Sequence, residues 1–414
     1  MRDVLRHWTP ELAERLGEVY RDLHRHPELS LHEHRTAGRV AAALGPLGCE
    51  VATGIGGTGV VAVLRNGDGP VVMLRADMDA LPVAEETGLP YASTARGVDE
   101  SGAEVPVMHA CGHDMHVACL LGALETLARG RAAWSGTVLA VFQPAEELVR
   151  GAQDMIDDGL FERFPRPEVV LGQHVAPLPA GTVGYGEGPV MAAGDSVQVT
   201  LFGRGGHGAR PEDAVDPVVM AAAVVMRLQG IVAREVPHHE KVVLTVGRLH
   251  AGTKDNVIPD TAELGIGVRS FDPAVRDRVR AAVERVVRAE AAASGADREP
   301  AFAWKTGAPV LVSDPRATAV TAEAFRERFG ADRVVPLPPL AASEDVGRYG
   351  EALGVPTVFW FWGGADPRAF AEAAAEGRLP PFNHSPRFAP VLEPTLTTGV
   401  QALTVAALTW LDTP

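Results

Sequence analysis

The sequence predicts an α/β protein in which a mostly parallel β-sheet, covered by helices on both faces, is interrupted by a smaller two-layer α+β domain. Three observations lead to this fold class. Strand and helix patterns alternate up to about residue 186, a period-two pattern with two long helices occupies the middle of the chain, and the first pattern returns near residue 304. We therefore expect a discontinuous domain, residues 1–186 and 304–414, and an inserted domain, residues 187–303.

The first domain begins with an amphipathic helix in "PELAERLGEVYRDLHRHPEL". Apolar runs that are bounded by Gly, Asp or Pro then predict four buried strands, in "VVAVLR", "VVMLRAD", "GTVLAVFQP" and "EVVLGQH", with a helix in "VACLLGALETLAR". After residue 304 come a helix, the apolar strand "PTVFWFWGG" and a C-terminal helix. Such alternation is typical of a parallel sheet that is buried on both faces.

In the inserted domain the spacing of apolar residues differs from that in the first domain. "DSVQVTLFG" alternates apolar and polar residues, as a half-buried strand does, and a helix in "DPVVMAAAVVMRLQGIVAR" follows it. Two further strands, "EKVVLTVGRLHAG" and "TAELGIGVRS", a second long helix and a strand near "PAFAWK" complete a βαββαβ order. This order predicts a ferredoxin-like domain with both helices on one face of the sheet.

Charge and cysteine content exclude several classes of function. The formal net charge of −15 argues against nucleic acid or an anionic membrane as partner, since both require a basic surface. The longest apolar run, "VVMAAAVVM", is far shorter than the roughly 18 residues of a membrane span. The N-terminus lacks the apolar segment of a signal peptide, so we expect a cytoplasmic protein. The three scattered cysteines do not predict disulfides, and they admit a reactive or metal-bound thiol.

Side chains that bind metals or move protons follow three of the predicted strands. Asp77 and Asp79 end one strand, Glu146 and Glu147 follow another, and His174 ends the third. Because the functional crevice of an open α/β sheet lies outside the carboxyl ends of its strands, we expect these side chains to converge. A lone strand-end histidine would more often be structural, but three strand ends with the same chemistry predict a site.

The glutamate pair follows Pro144, which is typical of the first turn of a helix, and we expect that helix in "AEELVRGAQDMIDDG". Consecutive helical residues lie about 100° apart, so one carboxylate can bind a metal while its neighbour acts as a base. The alternative is a pair of solvated carboxylates at a helix N-terminus.

The stretch "VPVMHACGHDMH" places Cys111 and His113 two residues apart, around a glycine that allows a tight turn. A thiolate and an imidazole at this spacing can chelate one metal ion. An isolated Cys-x-His would as readily be a buried cysteine beside an incidental histidine. Next to the three strand ends we favour the metal site. We treat His24 and His26 as structural, and Asp114 and His116 as supporting or helix-capping groups.

An ordered set of motifs resembles a known family. The motifs are "RADMDALP", "HACGHDMH", "QPAEE", "GQHV" and "NHSP", together with "GRGGHGARP" and "NVIPD" in the inserted domain. In this order they resemble the amidohydrolase branch of the M20 metallopeptidase family, which contains hippurate hydrolases, N-acyl-amino-acid amidohydrolases and auxin-conjugate hydrolases. The resemblance covers nearly the whole chain and implies hydrolysis of the amide bond of N-acyl amino acids.

The resemblance also implies a centre of two divalent metal ions, Mn²⁺ or Zn²⁺, with Co²⁺ and Ni²⁺ as further candidates. It implies that Cys111 bridges the two ions, that His113 and His174 complete one site, and that Glu147 and His384 complete the other. Thiolate and imidazole suit Zn²⁺, whereas carboxylate suits Mn²⁺, so the ligand types leave the metal open.

The remaining roles in the centre also follow from the resemblance. It implies that Glu146 is the general base. Wider relatives carry a His-x-Asp motif where this chain has Asp77-Met78-Asp79. Asp79 is therefore expected to keep the orienting role of that aspartate, and the role of Asp77 stays open.

The resemblance assigns the inserted domain to a lid and dimerisation role. His207 corresponds to a histidine that reaches the scissile carbonyl of a partner subunit, where its N–H can stabilise an oxyanion. Asn256 and Arg269 would hold the substrate carboxylate, although Arg269 could equally form a surface ion pair. A homodimer, or a tetramer built from dimers, is the expected assembly.

Three alternatives stay open at this stage. Cys111 could be the nucleophile of a cysteine hydrolase, with a nearby histidine as its base. The enzyme could be a dipeptidase or carboxypeptidase of the same family. The chain could also be a non-enzymatic metal-binding protein, a reading that leaves Glu146 without a purpose.

Overall fold

The computed structural model describes residues 1–305 and 307–412. It divides into two compact units: Met1–Gly188, Val312–Pro338 and Asp345–Pro414 form the first, and Pro189–Leu311 and Pro339–Glu344 form the second. The expected boundary at residue 303 falls inside a strand, Ala301–Lys305, that pairs with the inserted sheet. The short return of the chain to the second unit at Pro339–Glu344 was not expected, because it carries no periodic pattern of its own.

The strands of the described chain follow in sequence order. They are β1 (Glu50–Ile55), β2 (Gly59–Asn66), β3 (Val71–Asp77), β4 (Arg96–Val98), β5 (Glu104–Pro106), β6 (Gly136–Gln143), β7 (Val169–Pro179), β8 (Val183–Tyr185), β9 (Gly188–Met191), β10 (Ala193–Phe202), β11 (Gly206–His207), β12 (Val242–Ala251), β13 (Val257–Ile258), β14 (Thr261–Ser270), β15 (Ala301–Lys305), β16 (Leu311–Ser313), β17 (Val334–Pro336) and β18 (Thr357–Ala365).

The α-helices are named in the same way. They are α1 (Arg2–Leu5), α2 (Pro10–Arg25), α3 (His34–Leu44), α4 (His113–Arg129), α5 (Gly151–Asp157), α6 (Leu160–Arg163), α7 (Pro217–Arg234), α8 (Pro273–Ala293), α9 (Pro315–Phe329), α10 (Gly347–Leu353), α11 (Pro367–Ala375) and α12 (Leu392–Trp410).

The large sheet of the first unit has the order β1-β2-β6-β3-β7-β18-β8-β17. Its centre is parallel, because β3 pairs in parallel with both β6 and β7, and β7 pairs in parallel with β18. Every residue of β6 is buried, as expected of a strand covered on both faces. Antiparallel pairs occur towards the edges, between β1 and β2 and between β2 and β6. The predicted fold class of this domain is confirmed.

Helices α4 and α12 pack closely against one another in the core of the first unit. Gly399 of α12 permits this approach, since a Cβ there would lie 2.5 Å from the Cys119 Sγ and 3.0 Å from the Trp362 ring. Cys119 is fully buried and its thiol donates to the Leu396 carbonyl oxygen at 3.8 Å. This packing fixes α4, whose first residue, His113, is one of the expected metal ligands.

The sheet of the second unit has the order β12-β14-β10-β15, with all neighbours antiparallel. Helices α7 and α8 pack together and against this sheet in the expected βαββαβ order. Helix α7 is, within the described residues, the one helix long and apolar enough to cross a membrane by length and composition. Met220, Val224 and Leu228 on one side of α7 are buried in the core, whereas Val219 and Met226 are exposed.

Candidate metal centre

The expected strand-end residues lie at one edge of the large sheet. Strands β6, β3 and β7 are neighbours, and β3 and β6 pair from Val71 opposite Thr137 to Asp77 opposite Gln143. The carboxyl ends of β3 and β6 therefore deliver Asp77 and the segment after Gln143 to the same place. The expectation that His174 ends its strand was wrong, because β7 continues to Pro179. His174 lies within β7, two residues beyond Gly172, the partner of Arg75 on β3. The N-terminus of α4 joins them there.

The turn before α4 carries Cys111 and His113 around Gly112. Gly112 has a φ of 85°, and a Cβ at this position would lie 2.5 Å from the Val175 Cγ1. Only glycine fits this left-handed turn beside β7 without moving a buried side chain. The turn thus brings the Cys111 thiol and the His113 imidazole beside His174 and Val175, in the middle of β7.

The side chain of His113 is fully buried and is oriented through its Nδ1. The Nδ1 hydrogen-bonds the Asp79 backbone oxygen at 2.9 Å and the Asp79 Oδ1 at 3.2 Å. The Asp79 Oδ2 also accepts from Ser30 Oγ at 2.6 Å and from Glu147 N at 3.0 Å. Asp79 thus ties the imidazole to the turn that bears Glu147, and it leaves the His113 Nε2 lone pair free for a metal ion.

His174 is oriented in the same manner. Its Nδ1 lies 2.8 Å from the Val175 backbone oxygen, so the Nδ1–H donates there, and its Nε2 lies 3.4 Å from the Cys111 Sγ. Burial and the neighbouring His116 lower the pKa of His174 well below its usual value. A neutral imidazole with its lone pair towards a thiol is a suitable metal ligand.

Glu147 and His384 form the second expected pair, with the His384 Nε2 at 3.4 Å from the Glu147 Oε1. His384 adopts a φ of 71°, unusual for a residue other than glycine, and its backbone N–H donates to the Ala110 carbonyl oxygen at 2.8 Å. Its neighbour Asn383 donates to the backbone oxygens of Cys111 and Val175 at 3.1 and 3.2 Å. Asn383 was not identified from the sequence, although it adjoins an expected ligand.

These side chains fit a divalent cation. The Cys111 Sγ, the His113 Nε2 and a Glu147 carboxylate oxygen all lie within 4.8 Å of one another. The His113 Nε2 and the Glu147 Oε1 are buried, have no hydrogen-bond partner and are 3.9 Å apart. Buried polar atoms without a partner are rare in folded proteins, and a bound ion is one of the common explanations. Thiolate, imidazole and carboxylate are the donor set of Zn²⁺ and related metals.

Electrostatics favour a cation at the same place. Burial and the carboxylates of Glu147 and Glu146 raise the pKa of the Cys111 thiol well above its usual value. Burial opposes protonation of His113, but the Asp77 and Asp79 carboxylates outweigh it and raise its pKa to about 10. A divalent cation would take the place of these protons, so metal binding should release protons.

The glutamate pair does not lie in a helix, and this expectation from the sequence was wrong. Residues 146–149 form a turn, and α5 begins only at Gly151. Ala145 and Val149 adopt φ values of 49° and 56°, outside the helical range, and the Ala145 N–H donates to the buried Glu33 Oε1 at 2.9 Å. The turn still separates the carboxylates: the Glu146 Oε2 lies 3.9 Å from the His113 Nε2, and Glu147 approaches His384.

Asp77 belongs to a buried ion-pair network that sequence patterns did not reveal. Its Oδ2 accepts from Arg75 Nη1 at 2.5 Å, and its Oδ1 contacts the Nδ1 of His116. The His116 Nε2 in turn accepts from Val175 N at 3.0 Å. The Asp77 Oδ2 also lies 3.6 Å from the His113 Nε2. Asp77 and His116 therefore support the ligands on β7 and α4, and both Asp77 oxygens have protein partners.

His24 and Asp114 form a second buried cluster behind α4. The His24 Nδ1 lies 2.7 Å from the Asp114 Oδ2, and its Nε2 lies 3.1 Å from the Glu85 Oε1. Burial disfavours the charged imidazole, but the two carboxylates outweigh it and raise the pKa of His24 to about 9. His26 is exposed and contacts the Asp22 backbone oxygen. Neither histidine faces the candidate metal site.

The expected substrate-binding residues lie in the second unit. His207 is exposed on β11, which pairs with β13, and its Nδ1 accepts from Ala209 N at 3.0 Å. The Nε2 therefore carries the ring proton of a neutral imidazole. Asn256 is also exposed, and its backbone oxygen accepts from Gly208 N at 2.9 Å. Arg269 lies on β14, is half-buried and donates to the Ser343 hydroxyl.

Comparison with known proteins agrees with this geometry. Residues 73–377 match the model of peptidase family M20/M25/M40. A hippurate hydrolase of Campylobacter jejuni is 38% identical over 83% of this chain and 87% of its own length. Thermostable carboxypeptidase 2 of Saccharolobus solfataricus is 34% identical over 98% of both chains.

A solved structure extends the comparison. The crystal structure of the Bacillus subtilis YXEP protein, described as a dinuclear metal-binding peptidase from the M20 family, superposes with a TM-score of 0.76 at 31% identity, over 97% of this chain and all of that one. The family match covers Cys111, His113, Glu147 and His174, and it ends before His384. The chain therefore belongs to peptidase family M20/M25/M40 and is a hydrolase of amide bonds.

Proposed function

We propose that the enzyme hydrolyses the amide bond of N-acyl amino acids to a carboxylate and a free amino acid, with two divalent metal ions. The observation that carries the proposal is the buried cluster of the Cys111 Sγ, the His113 Nε2 and a Glu147 carboxylate oxygen, two of whose members have no hydrogen-bond partner. The hippurate hydrolase similarity supports the substrate class, since hippurate is an N-acyl amino acid.

In this proposal Cys111 would be shared by both ions, His113 and His174 would help to hold one ion, and Glu147 and His384 would help to hold the other. The 3.4 Å separations of Cys111 from His174 and of Glu147 from His384 support this division. When bound, such ions lower the pKa of a water molecule and polarise a substrate carbonyl.

Glu146 would act as the general base. Its carboxylate lies at the same strand end as the ligands, 3.9 Å from the His113 Nε2, and it projects from a turn that Glu33 and Asp79 hold in place through backbone N–H groups. It would accept a proton from the attacking water and then pass it to the leaving amine, so that the amide C–N bond breaks without a covalent enzyme intermediate. Asp79 is a positioning residue in this scheme because it acts through His113.

The second unit would supply the oxyanion donor. The hydrogen bond from Ala209 N to the His207 Nδ1 leaves the Nε2–H as the donor, as stabilisation of a developing oxyanion requires. Asn256 and Arg269 are proposed to hold the substrate carboxylate. The proposal includes a homodimer in which His207 serves the partner's site, and the exposed Val219 and Met226 of α7 are suited to such a contact. Free Cys49, Cys111 and Cys119 agree with a cytoplasmic location.

The main alternative function is that of a carboxypeptidase, because the Saccharolobus relative carries that name. Both reactions break an amide bond next to a free carboxylate, so only the group on the acyl side separates them. Hydrolysis of N-acetyl, N-benzoyl and unblocked aminoacyl derivatives of one amino acid should be compared. We expect the blocked substrates to have the higher kcat/KM. A strong preference for the unblocked dipeptide would replace the proposal by a peptidase.

Metal removal tests the centre itself. Chelation should abolish hydrolysis, and Cys111→Ser should lower the metal content measured by elemental analysis, because a hydroxyl is a poor bridging ligand. Cys49→Ser is the control, since Cys49 is only half-buried and Cys119 is packed in the core. Full activity of metal-free protein, with covalent trapping of Cys111 by a substrate analogue, would instead establish a thiol nucleophile.

A further inference from the structure

A groove of about 470 Å³ opens beside Glu147 in the first unit. Its walls come from three separate segments: the loop after α2, the loop after β3 and the β4–β5 hairpin. A fourth part of the wall comes from residues 146–149, the turn that carries Glu146 and Glu147, called here the glutamate turn. Seven of the thirteen residues that line it are apolar: Leu29, Leu31, Ala80, Leu81, Pro82, Val98 and Leu148. None of these apolar residues has a role in the proposed metal centre. The groove therefore has no function in that proposal, although it lies directly next to the expected ligand Glu147.

The groove is fixed to the glutamate turn. Leu31 adopts a φ of 67°, a conformation that a branched side chain rarely takes and that surrounding contacts must hold. Two residues further along the same loop, the buried carboxylate of Glu33 accepts from Thr58 Oγ1 at 2.5 Å and from Ala145 N at 2.9 Å. The same carboxylate therefore anchors the Leu31 loop and the turn of Glu147. A ligand in the groove would lie at a constant position relative to the metal centre.

The charges at the groove decide which half of a substrate it can accept. Asp99 and Glu100 stand at the tip of the hairpin, and Glu147 lies at the inner end. Asp99 is held in place because its Oδ1 accepts from Ser101 N at 2.9 Å and from Ala103 N at 3.0 Å. Among the described residues that line the groove there is no Lys or Arg. His32 is the one basic side chain among the described residues of the lining, so away from the metal centre a free carboxylate would meet Asp99 and Glu100 with no Lys or Arg to offset them.

We propose that this groove binds the acyl half of the substrate and selects uncharged apolar acyl groups, straight-chain or aryl, longer than acetyl. The inference rests on the proposed function, because an N-acyl amino acid carries its carboxylate on the other side of the scissile bond. The apolar walls stabilise the acyl chain, whereas the acidic rim repels the carboxylate half and so orients the substrate across the metal centre.

Burial of apolar surface sets the size of the effect. Each methylene moved from water into the groove contributes about 0.8 kcal/mol, or roughly a fourfold increase in kcat/KM. The series from acetyl to octanoyl on one amino acid should therefore rise by about this factor per methylene until the groove is filled. Butyryl should also exceed succinyl, which has the same carbon chain but ends in a carboxylate.

Val98 offers the cleanest variant, since it is 56% exposed on the hairpin and is not itself an expected ligand. Val98→Trp should fill the groove, lower kcat/KM for octanoyl and benzoyl substrates by at least about tenfold and change acetyl substrates less than about twofold. Val320→Trp, at a valine of similar exposure on α9, is the matched control and should change neither. Equal losses for all acyl groups in Val98→Trp would overturn the proposal.

The charge argument has its own test. Glu100→Lys should reduce the preference for butyryl over succinyl by about two- to fivefold at low salt, and added salt should shrink the difference. Asp68→Lys makes the same charge change at an exposed residue before β3, at the opposite end of that strand from the centre, and should leave the preference unchanged. A shift in the preference among amino acids, with none among acyl groups, would assign the groove to the other half of the substrate.

Binding of alkyl hydroxamates to the metal-loaded enzyme separates failure of this inference from failure of the proposed function. Isothermal titration should give a Kd that falls with chain length in the wild type and not in Val98→Trp. If no N-acyl amino acid is hydrolysed but this dependence is found, the groove binds apolar chains and the substrate class is wrong. If hydrolysis is found without any dependence on chain length, the groove proposal is wrong and the proposed function stands.

Discussion

The two units hold their proposed functional residues in opposite ways. In the first unit, His113, Glu146 and His174 are 0%, 6% and 9% exposed, and hydrogen bonds to backbone or carboxylate groups orient both imidazoles. In the second unit, His207 and Asn256 are exposed and sit beside a pair of two-residue strands.

This difference separates residues that the fold itself orients from residues that it leaves exposed. The fold orients His113 and His174 before any metal binds, which is the preorganisation that a metal site requires, whereas the side chain of His384 is exposed. The side chains of His207 and Asn256 are exposed, so in the proposed function they would act only when a substrate or a partner subunit covers them. We therefore expect substitutions in the two units to have different signatures.

The largest effect should come from the glutamate turn, where neighbouring residues should have separate functions. Glu146→Gln should keep its metal ions and lose activity by roughly 10²–10⁴-fold, because a base is removed while the ligands remain. Glu147→Gln should lose a metal ion. Elemental analysis and kcat measured on the same preparations distinguish the two. Equal metal loss in both variants would show that the division into base and ligand is wrong.

Substitution of His207 should lower activity without loss of metal, whereas substitution of a metal ligand should lower both. His207→Ala should lower kcat by roughly 10²–10³-fold with unchanged metal content and thermal midpoint, because its side chain is exposed and, in the proposed function, would donate only in the transition state.

Mixing subunits tests whether His207 acts on the partner's site. Heterodimers of His207→Ala and Glu146→Gln contain one site with an intact Glu146 and an intact partner His207. In a random mixture about half of the dimers are heterodimers, each with one working site, so activity should recover to about a quarter of wild type. Heterodimers that form, as mass analysis can show, but remain as inactive as the parents would place His207 in its own site or outside catalysis.

The buried His24 cluster should make the first unit sensitive to alkaline pH. The pKa of His24 is raised from 6.5 to about 9 by Asp114 and Glu85, against the effect of burial. Its stabilisation is therefore complete below pH 6.5 and is lost as pH rises through 9, with a magnitude on the order of 3 kcal/mol. Thermal midpoints of wild type and His24→Gln should differ at pH 6 and converge near pH 10. His26→Gln, at an exposed histidine, is the control, and a difference that stays constant with pH would contradict the assignment.

The smallest effect concerns the support of the ligands. Asp79→Asn keeps the size of the side chain but removes the charge that orients His113, and it should weaken metal affinity by about 10–100-fold without abolishing binding. Competition with a chelator of known affinity measures this change. Asp68→Asn, at an exposed aspartate, should leave metal affinity unchanged. Wild-type affinity in Asp79→Asn would mean that the backbone oxygen of Asp79 suffices to orient the imidazole.

Much of the centre could be predicted because its residues stand at recognisable places in the chain. Asp79 and Glu147 follow apolar strands, and a parallel sheet brings such strand ends together whatever the loops do. His174 was also found from its apolar strand, although that strand continues beyond it to Pro179. The Cys-Gly-His turn was visible for a similar reason, since the glycine is required by close packing against Val175. The helix expected at Glu146 failed because a distant side chain, Glu33, holds the backbone in a turn.

By itself, the sequence determined the fold class, the order of its elements and the types of side chain at the strand ends, because periodicity and chain order are local properties. Only the tertiary structure decided what depends on residues far apart in the chain. Asn383 contacts the backbones of Cys111 and Val175. Arg75, Asp77 and His116 form a buried network next to the proposed ligands. Three separate segments form the groove beside Glu147. Contacts of this kind leave no periodic trace in the sequence, since their geometry is set by packing across the whole domain.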